Sequence, residues 1–152
     1  MSNPLPRSIL IAVLAVAYFG FGWVHLLDAA ALMPLMPPWV PYPRAVILFT
    51  GVCEVAGALA LIVPPTRRLA AVMLALYAIC VWPANLHHVL TGAHVGGIPD
   101  SWWYHGPRLA FQPVLIWAPL WAAGITAWPF RGRRRSATPD DVTGRMWDLS
   151  GR

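Results

Sequence analysis

Few residues of this chain can do chemistry, and most of those stand inside apolar runs. The set is His25, Glu54, Asn85, His88, Arg108 and Gln112. A carboxyl and an imidazole can carry protons, a guanidinium can hold an oxyanion or a carbonyl oxygen, and the two amides can both donate and accept. Asn85 and His88 are three residues apart, and Arg108 and Gln112 are four apart. On a helix each pair therefore shares one side. Glu54 stands three residues from Gly51 and from Gly57, on a line that lets a second helix come close. Alone in hydrocarbon Glu54 would be protonated; near Arg108 or His88 it could ionise. Arg44 lies ten residues before Glu54, about 80° off its face at 100° per residue, and is a poor direct partner. In hydrocarbon such groups are costly and turn toward one another or toward a wet cavity. Two readings follow: hydrogen-bonded glue between helices, or a pocket for a polar ligand.

The elements that must position this set are long and greasy. The chain has 152 residues, 58% hydrophobic and 11% charged, with a mean hydropathy of +0.57. A soluble domain carries about a quarter charged residues. Four apolar runs stand out: Ile9–Leu27, Ala45–Val63, Leu69–Leu90 and Leu109–Phe130, of 19 to 22 residues each. About 20 residues cross a hydrocarbon core, and there the backbone must be helical. The expectation is an all-α, polytopic four-transmembrane-helix bundle over residues 1–130, with helices at about 8–27, 45–63, 68–90 and 108–130. The first run exceeds the roughly 7–15 residues of a signal-peptide core, so it is read as a retained span.

Arginine placement sets the expected orientation. Arg7, Arg67, Arg68, Arg131, Arg133, Arg134 and Arg135 flank one side, and only Arg44 and Arg108 the other. Both termini are then cytoplasmic. Residues 131–152 read as a basic, disordered tail that would lie against anionic lipid and could dock a partner through Met146–Leu149. The net charge of +5 is concentrated in that tail. It makes no distributed basic face, and nucleic-acid binding is not expected.

The connections and prolines carry further expectations. Ala29–Pro43 has five prolines and no charge, and reads as a cap across the outer interface. Trp102, Trp103 and Tyr104, in the second outer loop, suit the headgroup layer. Pro83 frees the Ile79 carbonyl, and a kink there would widen the outer end of the bundle. Cys53 and Cys80 form no CxxC. They read as small buried hydrophobes rather than as a disulfide or a metal site.

Four segments in order carry a resemblance. "MPPWVPYPR" (Met36–Arg44), "FTGVCEVAGALALIVPPTRRLAA" (Phe49–Ala71), "VWPANLHHVL" (Val81–Leu90) and "PRLAFQPVLI" (Pro107–Ile116) resemble the DoxX-like family of small bacterial membrane proteins, over about residues 8 to 130. The resemblance implies a four-helix bundle in the bacterial inner (cytoplasmic) membrane and a link to quinone-dependent or oxidative-stress redox assemblies. Its motif positions fall here on Arg44, Glu54, Pro83, Asn85, Arg108 and Gln112. It implies quinone as the cofactor to consider and a redox or respiratory protein as the partner. The chain would be a small subunit with a polar pocket in the outer half of the bundle, without catalysis of its own. The alternative is a non-catalytic accessory or scaffold subunit that docks a partner. Haem between His25 and His88 is not expected, because histidine pairs in bundles are more often structural.

Overall fold

A computed structural model describes residues 4–92 and 101–128 of the chain. The expected tail at 131–152, Met146–Leu149 within it and the centre of the second outer loop lie outside the described residues. What is described is all helical: α1 (Pro4–Leu27), a single 3-10 turn (Met33–Leu35), α2 (Pro43–Ile62), α3 (Arg67–Thr91) and α4 (Trp102–Ala122). Each long helix packs on its neighbours in sequence, and α1 closes against α4. Among the described residues the diagonal pairs α1–α3 and α2–α4 have no close backbone approach, and α1 and α3 meet only through side chains across the interior. The helices therefore form a four-membered ring with one shared interior.

The local signals are ordinary ones. Prolines start α1 and α2, where a missing N–H costs nothing. The α2–α3 turn is tied by side chains. Arg67 donates from Nε to the Leu61 carbonyl at 3.0 Å and from Nη2 to the Ile62 carbonyl at 2.9 Å. Thr66 Oγ1 lies 2.8 Å from the Ala60 carbonyl. The last carbonyls of α2 are thus satisfied where the helix can no longer supply partners.

The outside of the ring is apolar. Leu5, Ile9, Val13, Val16, Leu27, Phe49, Leu69 and Leu90 are all exposed. Leu5–Leu27, Pro43–Ile62 and Arg67–Thr91 are long and apolar enough to cross a bilayer. An apolar exterior around buried polar side chains is the inversion expected of a membrane protein. One end of the interior is apolar and made of small residues: Ala58, Leu61, Ala71, Leu74, Ala118 and Ala122, joined by Ile11 and Leu14. Toward the other end α1 and α2 touch backbone to backbone. A Cβ on Gly51 would sit 2.9 Å from the Gly22 carbonyl oxygen, so this crossing requires glycine.

The fourth helix differs from expectation at both ends. It begins at Trp102 rather than near 108, and ends at Ala122 rather than near 130. Trp102, Trp103 and Tyr104 form its exposed first turn. Ser101 Oγ accepts from the Trp103 N–H at 3.4 Å. Pro107 lies inside the helix. In the second turn it forfeits one bond to the Trp103 carbonyl without ending the helix. The other end is set by Gly124 at φ +72°. The Gly124 N–H bonds the Trp121 carbonyl and the Ile125 N–H bonds the Leu120 carbonyl, the paired closure of a Schellman motif. That glycine sits inside an apolar run, so hydropathy alone runs past it.

The cysteine reading also needs correction. Both thiols are free, with Cys53 half-buried and Cys80 exposed on the outside of α3. A continuous apolar run does not say which of its sides faces inward. The proline-rich segment after α1 forms turns around Met33–Leu35 and packs on α3 and α2, with Ala29 and Pro37 buried.

Candidate functional site

The polar residues form two clusters, each on its own pair of helices. The first belongs to α3 and α4. Arg108 Nη1 lies 2.7 Å from His88 Nδ1. A guanidinium can only donate, so His88 Nδ1 accepts and the imidazole is neutral with its proton on Nε2. Arg108 Nη2 donates to Asn85 Oδ1. Asn85 Nδ2 then donates to Gln112 Oε1 at 3.1 Å, and Gln112 Nε2 donates to the Ala78 carbonyl at 2.6 Å. The four groups make a directed chain that begins at a positive charge and ends on a backbone oxygen. Each bond polarises the next.

Sequence spacing explains this geometry. His105, Arg108 and Gln112 fall at i, i+3 and i+7, one face of α4. Asn85 and His88 share a face of α3, with Ala78 two turns back. Pro83 lies between them. Its ring displaces the local ladder, and Gln112 reaches the carbonyl just before the freed Ile79. Neighbouring helices commonly supply such replacement bonds in membranes. His88 and Gln112 are almost completely buried, at 1% and 3% exposure. The His88 ring meets His105 edge to face at 4.8 Å, and His105 meets Tyr104 at 5.5 Å. Two of the five N–H donors of Arg108 serve His88 and Asn85. No carboxylate pairs with it among the described residues.

The second cluster belongs to α1, α2 and α3. His25 Nδ1 lies 3.0 Å from Glu54 Oε2 and 2.8 Å from the Phe21 carbonyl. Nδ1 carries at most one proton. The Phe21 carbonyl of the preceding turn takes it, leaving Glu54 Oε2 in close contact but without an aligned donor. The Tyr77 hydroxyl neighbours the Glu54 carboxyl and the Thr50 side chain. The Tyr18 and Tyr77 rings meet edge to face at 6.4 Å. The Tyr18 hydroxyl is buried and has no hydrogen-bond partner among the described residues. Close approach at Gly22–Gly51 is what brings His25, three residues past Gly22, over Glu54, three residues past Gly51.

Of the expected set, Asn85, His88, Arg108 and Gln112 come together, whereas Glu54 and His25 form the other cluster. Among the described residues Glu54 meets His25 and neither Arg108 nor His88. The reason is that Glu54 faces the α1 crossing rather than α4. Histidines 25 and 88 accordingly face different partners. Arg44 is exposed and lines a separate apolar cleft with Met33 and Tyr42. Pro83 is exposed within α3. Sequence reasoning missed Tyr18, Tyr77 and His105. His105 was signalled by its i, i+3 relation to Arg108, and Tyr18 by standing seven residues before His25.

The model of a family described as a domain of unknown function, DUF8561, matches residues 14–125. No curated protein and no solved structure matches the chain.

Proposed function

The chain belongs to the DUF8561 family, and from that premise we propose that it is a small multi-pass protein of the bacterial cytoplasmic membrane, a DoxX-like subunit of a quinone-linked or oxidative-stress redox assembly. In this reading α4 is the fourth span, and both termini face the cytoplasm. Support for the orientation comes from the arginines, since Arg7, Arg67 and Arg68 cluster at the end opposite Arg108 and Arg44. The subunit binds and orients; electrons come from a partner protein.

The observation that carries the reading is Arg108. A guanidinium fixed on two sides by His88 and Asn85, with no carboxylate partner among the described residues, suits an oxygen-rich ligand such as a quinone headgroup or an anionic sulfur compound. Its remaining N–H groups would donate to the ligand oxygens. Glu54 and His25 are the groups able to exchange a proton. Quinone reduction in membranes containing the intact assembly is expected to fall in both Arg108→Ala and Glu54→Gln. Unchanged rates in both variants would remove the quinone reading.

A second reading, a non-catalytic scaffold, is favoured by the way Asn85 and Gln112 spend their amides on each other and on Ala78. Here the clusters lock the bundle, and the tail docks a partner. Truncation after Phe130 is then expected to abolish co-purification of that partner, while quinone turnover is insensitive to Arg108→Ala.

A further inference from the structure

The basic end of the bundle holds a feature that neither polar cluster explains. A cleft of about 290 Å³ opens between the start of α1, the start of α3 and the end of α4. Arg7 and Arg67 both line it, beside Ser8 and Gly124, with Ile11 and Ala122 as an apolar wall. Among the described residues no acidic side chain lines it. Asp28 and Glu54, the acidic residues among those described, belong to other parts of the bundle. Two like charges sharing one cleft repel each other unless an anion lies between them.

Both arginines are held in place by contacts that leave charge unspent. Arg7 stands over the Trp121 ring with Cζ at 5.2 Å from its centroid. Its Nε is buried and has no hydrogen-bond partner among the described residues. Its Nη1 lies beside Gly124, where an added Cβ would come within 3.2 Å. Arg67 spends Nε and Nη2 on the carbonyls that end α2, which leaves Nη1 uncommitted to those carbonyls. The result is a fork of donors at the lip of an apolar wall. Oxyanions of phosphate match such forks, with shorter and stronger bonds than neutral partners give.

We propose that Arg7 and Arg67 form a binding site for a phosphate group, namely the headgroup phosphate of an anionic phospholipid. The apolar wall then accommodates the glycerol and first methylenes, which a free phosphate ion would leave uncovered. Basic clefts between spanning helices are a recurrent place for such headgroups. The site is independent of the quinone reading, because it lies at the other end of the bundle and uses none of the same residues.

The test uses the full chain in mild detergent, with native mass spectrometry after addition of phosphatidylglycerol or phosphatidylcholine, and with inorganic phosphate as competitor. Wild type is expected to retain phosphatidylglycerol in preference to phosphatidylcholine. Arg7→Gln should weaken retention about fivefold, the equivalent of ~1 kcal/mol for one arginine near a lipid surface. Arg7→Lys should give an intermediate loss, since it keeps the charge but loses the fork. Arg68→Gln, exposed and outside the cleft, should leave retention unchanged. Displacement of the lipid by millimolar inorganic phosphate, lost in Arg7→Gln, would support the phosphate site while assigning it to the free ion. Equal retention of both lipids by wild type would overturn the proposal, as would equal losses in Arg7→Gln and Arg68→Gln. Should Arg7→Gln fail to fold, the comparison of Arg7→Lys with Arg68→Gln decides in the same way.

Discussion

At one end of the bundle Ala58, Leu61, Ala71, Leu74, Ala118 and Ala122 close the interior; toward the other, the same three helices, α2, α3 and α4, bury Glu54, His88, His105 and Gln112. The exterior is apolar along the whole length. The two ends therefore share a solvent and differ in what holds the helices together. At the apolar end, small side chains let backbones approach, and many weak contacts add up. At the polar end a few directional bonds set which atom meets which. Packing of the first kind tolerates sliding; a chain of four donors and acceptors does not. This difference places both the chemistry and the contacts that fix register at the polar end.

The comparison can be tested by breaking each end in turn and reading stability in detergent by denaturant titration. Leu74→Ala should cost most, about 2–5 kcal/mol for a large-to-small change in a packed interior, because Leu74 is 2% exposed and lies against Gly57. Gly51→Leu should follow, at about 1–3 kcal/mol from overpacking, since the α1–α2 crossing has no room for a side chain; loss of the His25–Glu54 contact should accompany it. Arg108→Ala should cost about 1–2 kcal/mol, the upper range for interhelical hydrogen bonds in membranes. Gln112→Ala should cost least, about 1 kcal/mol for the loss of its bonds to Asn85 and Ala78 at an average of roughly 0.6 kcal/mol each. The last two sharpen the contrast when combined. Members of one network should be non-additive by about 0.5 kcal/mol or more, whereas Leu74→Ala with Gln112→Ala should add. Additivity of Arg108→Ala and Gln112→Ala would mean the directed chain does not act as a unit.

Much of this architecture could be read from residues alone. The runs that became α1, α2 and α3 lie within a few positions of the helices observed, because hydropathy and spanning length both point to the same residues. The fourth helix was displaced, since its start depends on a serine cap and its end on Gly124, neither of which alters hydropathy. Within the site, i,i+3 and i,i+4 spacing was enough to place Asn85 with His88 and Arg108 with Gln112 on common faces. The partner of Glu54 was not legible. Choosing between His25 and Arg108 requires the angle at which α1 crosses α2, which the glycine contact fixes and no periodicity encodes. Tyr18 and Tyr77 escaped notice for a related reason: an aromatic ring in a greasy run looks like filler until its hydroxyl is seen beside a carboxyl.

The strap that Arg67 throws over the end of α2 bears on how the turn between α2 and α3 keeps its shape. A reversal between two spans normally presents bare carbonyl oxygens, which hydrocarbon penalises by several kcal/mol each. Here two of those oxygens are already covered by a guanidinium from the next helix. The bend between α2 and α3 therefore carries its own seal, and its shape does not depend on water reaching those oxygens.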